Sequence, residues 1–135
     1  MLGIGDVRDY IAGLGIAKNE DVYCSKLEGE KDKTIGIYHL KRAGPARIAI
    51  GGIENTSYRI KPVSILIHWN RSPRDTEKVS DGLFNMLRDM KNVTVNGTMI
   101  KFTQMQCLEP IDVGTDDNGI YEMVIELDFY YERQE

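Results

Sequence analysis

Residues 120–131 alternate with few exceptions. Tyr121, Met123, Ile125, Leu127, Phe129 and Tyr131 fall on one side of an extended chain; Glu122, Glu126 and Asp128 fall on the other, with Val124 and Tyr130 among them. A period of two marks a strand with one face on a core and the other in a more polar setting. At about 3.4 Å per residue the stretch extends for roughly 40 Å, twice the length of an ordinary strand. Such a strand bends or runs past its own domain. Before it lies a turn-rich segment, EPIDVGTDDNGI, at residues 109–120.

The other segments supply partners for that strand. Residues 4–14 read as a short amphipathic helix, with Ile4, Val7, Ile11 and Leu14 on one stripe, Asp6 as cap with Asp9 three residues on, and Gly13 and Gly15 as a stop. Residues 22–27 and 35–40 are strand candidates around the polar turn 28–34. A basic loop follows at 41–47, then a brief strand at 48–50 that ends at Gly51-Gly52. Residues 58–69 form a second strong strand, with Val63, Ile65, Ile67 and Trp69 on one face. Pro62 cannot donate to a ladder, so regular pairing is expected to begin after it, or the strand is an edge there.

Residues 73–91 carry the strongest helical pattern. Ser72 can cap, Pro73 suits the first turn, and Val79, Leu83, Met86, Leu87 and Met90 form the apolar stripe. Gly82, at the margin of that stripe, implies close approach to the sheet. Phe84 lies off the stripe, which makes it an exposed candidate for subunit contact. Asn96-Gly97 between apolar runs predicts a tight hairpin, and residues 98–108 alternate as its second strand, with Ile100, Phe102, Gln104 and Gln106 on one face. The expected fold class is α+β: one domain over residues 1–135, a mostly antiparallel β-sheet flanked by two helices.

No cluster specifies a reaction, so no catalytic, cofactor-binding or metal residues are assigned. Asp112, Asp116, Asp117 and Asn118 lack the alternate spacing and closing Glu of a calcium loop and read as turn chemistry. His39 and His68 stand singly in strands, without zinc-ligand spacing. Cys24 and Cys107 read as reduced, small apolar residues. The N-terminus has no basic run before an apolar one, and no stretch reaches the ~20 apolar residues of a membrane span, so a soluble protein made without export is expected. The net charge of −4 opposes tight, sequence-independent DNA binding. The positive cluster Lys41, Arg42 and Arg47 is either a solvated loop or a contact for DNA or an acidic partner.

The order of these pieces resembles a known family. The KPVSILIHWN strand, Thr76-Glu77 opening the second helix, Pro110-Ile111 with Gly114, and Gly119-Ile120-Tyr121-Glu122 opening the last strand are similar to segments of tail-terminator or minor capsid proteins of bacteriophages and prophages with long non-contractile tails. The resemblance covers nearly the whole chain. It implies a virion structural protein at the tail-neck junction, made in the host cytoplasm, and not an enzyme. It implies a homo-oligomeric ring, six-fold in lambda-type terminators, that stops polymerisation of the major tail tube protein and joins the head-neck connector proteins. DNA would pass through the ring without sequence-specific binding. Phe84, Glu122, Glu126 and Asp128 are then candidates for the subunit or partner interface. Two other readings stay open: a head-completion or neck connector protein, and a small-ligand-binding domain or enzyme.

Overall fold

The computed structural model describes residues 1–25, 31–40 and 58–132. The expected loop at 41–47, with Lys41, Arg42 and Arg47, and the brief strand at 48–50 lie outside the described residues. Two helices, α1 (Ile4–Gly13) and α2 (Pro73–Arg88), pack on a mostly antiparallel sheet. Its strands are β1 (Val22–Cys24), β2 (Thr34–His39), β3 (Tyr58–His68), β4 (Lys91–Val95), β5 (Thr98–Met105), β6 (Ile111–Thr115) and β7 (Tyr121–Glu132). The order is β1-β2-β3-β7-β5-β4, with β6 also on β7. Among the described residues only β1 and β2 run parallel. The α+β expectation holds. Among the described residues no helix is long and apolar enough to cross a membrane.

The long strand is the sheet's central element. All 11 residues of β3 pair with β7, from Tyr58 opposite Glu132 to His68 opposite Glu122. The opposite edge of β7 is divided: β5 takes residues 127–131 and β6 takes residues 121–124. The strand therefore does not run past its own subunit. Its length is matched by one long partner on one side and two short ones on the other.

Pro62 lies inside this ladder, opposite Asp128, so pairing with β7 does not wait for it. In a strand the N–H and C=O of one residue point to the same neighbour. The Pro62 carbonyl accepts from the Leu40 N–H at 3.4 Å, on the β2 side. The missing N–H thus faces the place where β2 has already ended at His39, and no ladder bond is lost.

Register aligns the core in rows. Val22, Ile35, Ile67 and Met123 follow one another across four strands, and Ile37, Ile65 and Ile125 make the next row. The residues of these rows are all buried. α1 touches β1 and β2 near one end of the strand order and β4 at the other, so the sheet curls around it. Asn96 Nδ2 closes that curl, donating to Asp6 and Asp9 at 2.9 Å each. The α1 cap differs from expectation. Gly3 is the capping residue, and Asp6, one turn on, accepts its N–H at 2.9 Å.

The strand at 98–105 departs from strict alternation. The register shifts between Ile100 and Phe102, so Lys101 is the extra residue of a bulge. Ile100 points into the core and Phe102 to the outer face, 43% exposed. Asn96 and Gly97, at φ 48° and 84°, make the expected tight turn.

α2 begins as predicted, with the Asp75 N–H donating to Ser72 Oγ at 3.2 Å. Its buried face is Thr76, Ser80, Leu83, Phe84 and Leu87. Phe84 is only 6% exposed and belongs to the core, whereas Met86, assigned to the stripe, is 48% exposed. The stripe is rotated because two small polar residues occupy it. Thr76 tolerates burial by donating to the Ser72 carbonyl at 2.9 Å. Gly82 is exposed, and a Cβ there would meet nothing within 4 Å, so it does not mark an approach to the sheet. The buried Ser80 hydroxyl has no hydrogen-bond partner among the described residues. Ser80→Ala should therefore raise stability by about 0.5–1 kcal/mol, since it removes an unmet polar group and improves helix propensity. The midpoint of urea unfolding checks it.

Candidate assembly surface

The sheet face away from the helices carries the polar residues that the sequence singled out. Thr34, His68 and Glu122 lie side by side in register across β2, β3 and β7. His68 is 1% exposed. Its Nε2 lies 2.7 Å from Asp116 Oδ2, and its Nδ1 lies 3.2 Å from Thr34 Oγ1. The other Asp116 oxygen accepts the N–H groups of Asn118 at 2.9 Å and Ile120 at 3.0 Å. Gly119 supplies the one left-handed residue of that turn, at φ 78°. The acidic loop is thus a turn clamped to the sheet by a buried histidine.

Thr34, His68 and Asp116 stand in the order of a hydrolytic triad. Thr34 is fully buried, so no substrate can reach its hydroxyl. The line is a structural clamp. The His68 hydrogen bond holds the Asp116 carboxyl below its ordinary range, reinforced by the two backbone N–H groups. Burial raises the Glu122 carboxyl, and Asp116 adds to that, while His68 pulls it down. Burial also raises the Tyr38 phenol, with a smaller push from Glu122.

The four interface candidates separate. Glu122 and Glu126 are half-buried on the outer face. Asp128 is not at a surface: it is 1% exposed and accepts from Gln106 Nε2 at 2.9 Å. Beside it Tyr130 donates to Gln104 Oε1 at 2.9 Å and stacks on Phe102, with ring centroids 4.4 Å apart. Alternation placed Asp128 on the outer face correctly. It could not show that Gln104 of β5 and Gln106 just beyond it, brought into line by the bulge, would cover it. Phe84, already assigned to the core, offers no exposed face to a partner.

Sequence reading missed an exposed apolar strip. Leu108 is 100% exposed, Ile111 39% and Val113 49%. They lie along β6 and the turn before it. Among the described residues β6 pairs only with β7, and no described strand lies on its other edge. Open apolar edges are where chains pair with other chains. The alternation Ile111-Asp112-Val113 after Pro110 was the available signal, hidden by the turn residues around it. At the β1 edge, Arg8 Nε donates to the Val22 carbonyl at 2.9 Å.

These features define a small α+β domain built on one curled sheet, with its polar line sealed and, among the described residues, an apolar strip exposed along β6. The chain belongs to the bacteriophage tail terminator protein family, whose family model matches residues 10–133. That family is one of structural proteins, components of the virion that associate with other tail or head parts. A comparison with curated proteins found no match.

Proposed function

We propose that copies of this chain close into a hexameric ring on the end of the tail tube. The ring stops polymerisation of the major tail tube protein and presents, at the tail-neck junction, the surface that the head-neck connector proteins join. The family match across residues 10–133 carries this reading. The exposed apolar strip along β6, which among the described residues has a strand on one side only, supports it as one of the two different surfaces that meet head to tail in a ring. Glu122 and Glu126 are the acidic candidates left on the outer face for a neighbour or the channel. DNA passes through the centre, and the net charge of −4 per copy keeps it from sticking.

The test is addition of the protein to growing tubes of the cognate tail protein, with tube lengths measured in electron micrographs. Capped ends and an early halt to growth are expected at protein-to-subunit ratios far below one. Unchanged growth, with binding to the portal assembly instead, would make the protein a neck connector.

A further inference from the structure

The chain contains two Asn-Gly pairs, Asn96-Gly97 and Asn118-Gly119, each in the turn between two paired antiparallel strands. Such a pair is chemically labile. The nitrogen of the following residue attacks the asparagine side-chain carbonyl carbon, and glycine, with no side chain, hinders that attack least. A nitrogen–carbon bond forms and closes a succinimide. The bond to the side-chain nitrogen breaks, and ammonia leaves with the proton given up by the glycine nitrogen. Water then opens the ring to aspartate or to isoaspartate, the second of which adds one carbon to the main chain.

At Asn96 the fold opposes this reaction. Asn96 Nδ2 donates to Asp6 Oδ1 and to Asp9 Oδ2, at 2.9 Å each. Carboxylates only accept, so the nitrogen must face both of them and both of its hydrogens are used. Each carboxylate is fixed from behind as well. Asp6 Oδ2 accepts the Gly3 N–H at 2.9 Å, and Asp9 Oδ1 accepts from Arg8 Nη1 at 3.0 Å. The Asn96 bond is the main cause that holds the Asp9 carboxyl below its ordinary range, with Arg8 adding to it. Both acids belong to α1, so the arrangement exists only while that helix is docked. It pins the amide, which must turn toward the Gly97 nitrogen to be attacked. It also sets negative charge beside a path that runs through a deprotonated nitrogen and an anionic tetrahedral carbon. When α1 leaves, both restraints go, and the exposed turn is open to water. A carboxylate at position 96 then faces two others with no hydrogen to give them.

We infer that Asn96 is a deamidation site that the docked first helix keeps unreacted, and that its conversion to a carboxylate irreversibly loosens that helix. The reaction records the time a chain spends with its curl open.

Peptide masses followed over days in mildly alkaline buffer test the first half, with Asn118 as internal reference. The samples are the folded protein, the same protein in urea, and folded protein carrying Asp6→Asn and Asp9→Asn. In that variant the side-chain oxygens still accept hydrogen bonds but the charges are gone. Conversion at Asn96 should be at least ~10-fold slower in the folded protein than in urea, and roughly 10-fold faster in the variant than in the folded unaltered protein. Asp9→Asn alone leaves the Asp6 bond to Gly3 in place and should give a rise of roughly 3-fold, which serves if the double variant does not fold. Conversion at Asn118 should match among the folded samples. Equal rates at Asn96 in folded protein and in urea overturn the proposal. So does no conversion at Asn96 in urea, or a rise in the variants that Asn118 shares. Asn96→Asp stands for the product and tests the second half. Hydrogen exchange of the α1 amides should be roughly 10-fold faster in it than in Asn96→Gly, which loses the donor without adding a charge. Equal exchange in those two variants would show that the new carboxylate does not loosen the helix.

Discussion

Phe129→Ala should lower the stability of the subunit by about 3–5 kcal/mol, the largest loss expected from any single side chain here. Phe129 is fully buried and is the largest fully buried side chain. It lies where β7 has strands hydrogen-bonded on both sides, opposite Lys61 of β3 and Thr103 of β5. Thr103 in turn donates to the Leu87 carbonyl at 2.6 Å, tying the sheet to the end of α2. With backbone ladders on both edges and a helix above, the wall cannot move inward to fill the space. The full cavity term should therefore appear on top of the lost transfer energy. A chain of this size has about 5–15 kcal/mol in total, so the variant should sit near the limit of folding. Urea unfolding followed by far-ultraviolet circular dichroism reads the result. A loss below about 1.5 kcal/mol would mean that this part of the sheet is loosely packed.

The alternation of residues 120–131 located the centre of the sheet and named its buried face correctly, because a strand covered on one side leaves a period-two record. The same rule placed Glu126 on the outer face. It failed where a non-local partner intervened. Asp128 is buried by Gln106, which lies 22 residues away in sequence and faces it only because Lys101 bulges. Phe84 was misplaced for a different reason: hydrophobicity alone gave Thr76 and Ser80 to the surface and turned the stripe of α2. The apparent excess length of β7 came from imagining one partner per edge, whereas β5 and β6 share an edge. The uncovered strip at Leu108, Ile111 and Val113 was hidden among turn residues, although its alternation was present.

The clamp at the hairpin tip gives the second large effect. Asp116→Ala should cost about 2–4 kcal/mol at neutral pH, because it removes one acceptor from a buried ring and another from two backbone N–H groups. The Asn118 N–H can turn to water, since Asn118 is exposed, but Ile120 is 1% exposed and its N–H cannot. Nor can His68, at 1% exposure. Asp116→Asn should cost only about 1 kcal/mol. Its oxygen can keep the two N–H bonds while its amide donates to His68 Nε2. The ring then carries its proton on Nδ1, facing the Thr34 hydroxyl, which can donate to the His68 carbonyl at 3.4 Å. The two variants also differ from the native chain in acid. The folded state holds the Asp116 carboxyl below its ordinary 3.8. Its ionised form therefore adds stability that is fully present above the unfolded value and is lost as pH falls through the depressed folded value. The stability gap between the native chain and Asp116→Asn should close as pH falls below about 4. A gap unchanged at pH 2, in urea titrations at each pH, would show that the carboxylate charge contributes nothing and that only the shape of the turn matters.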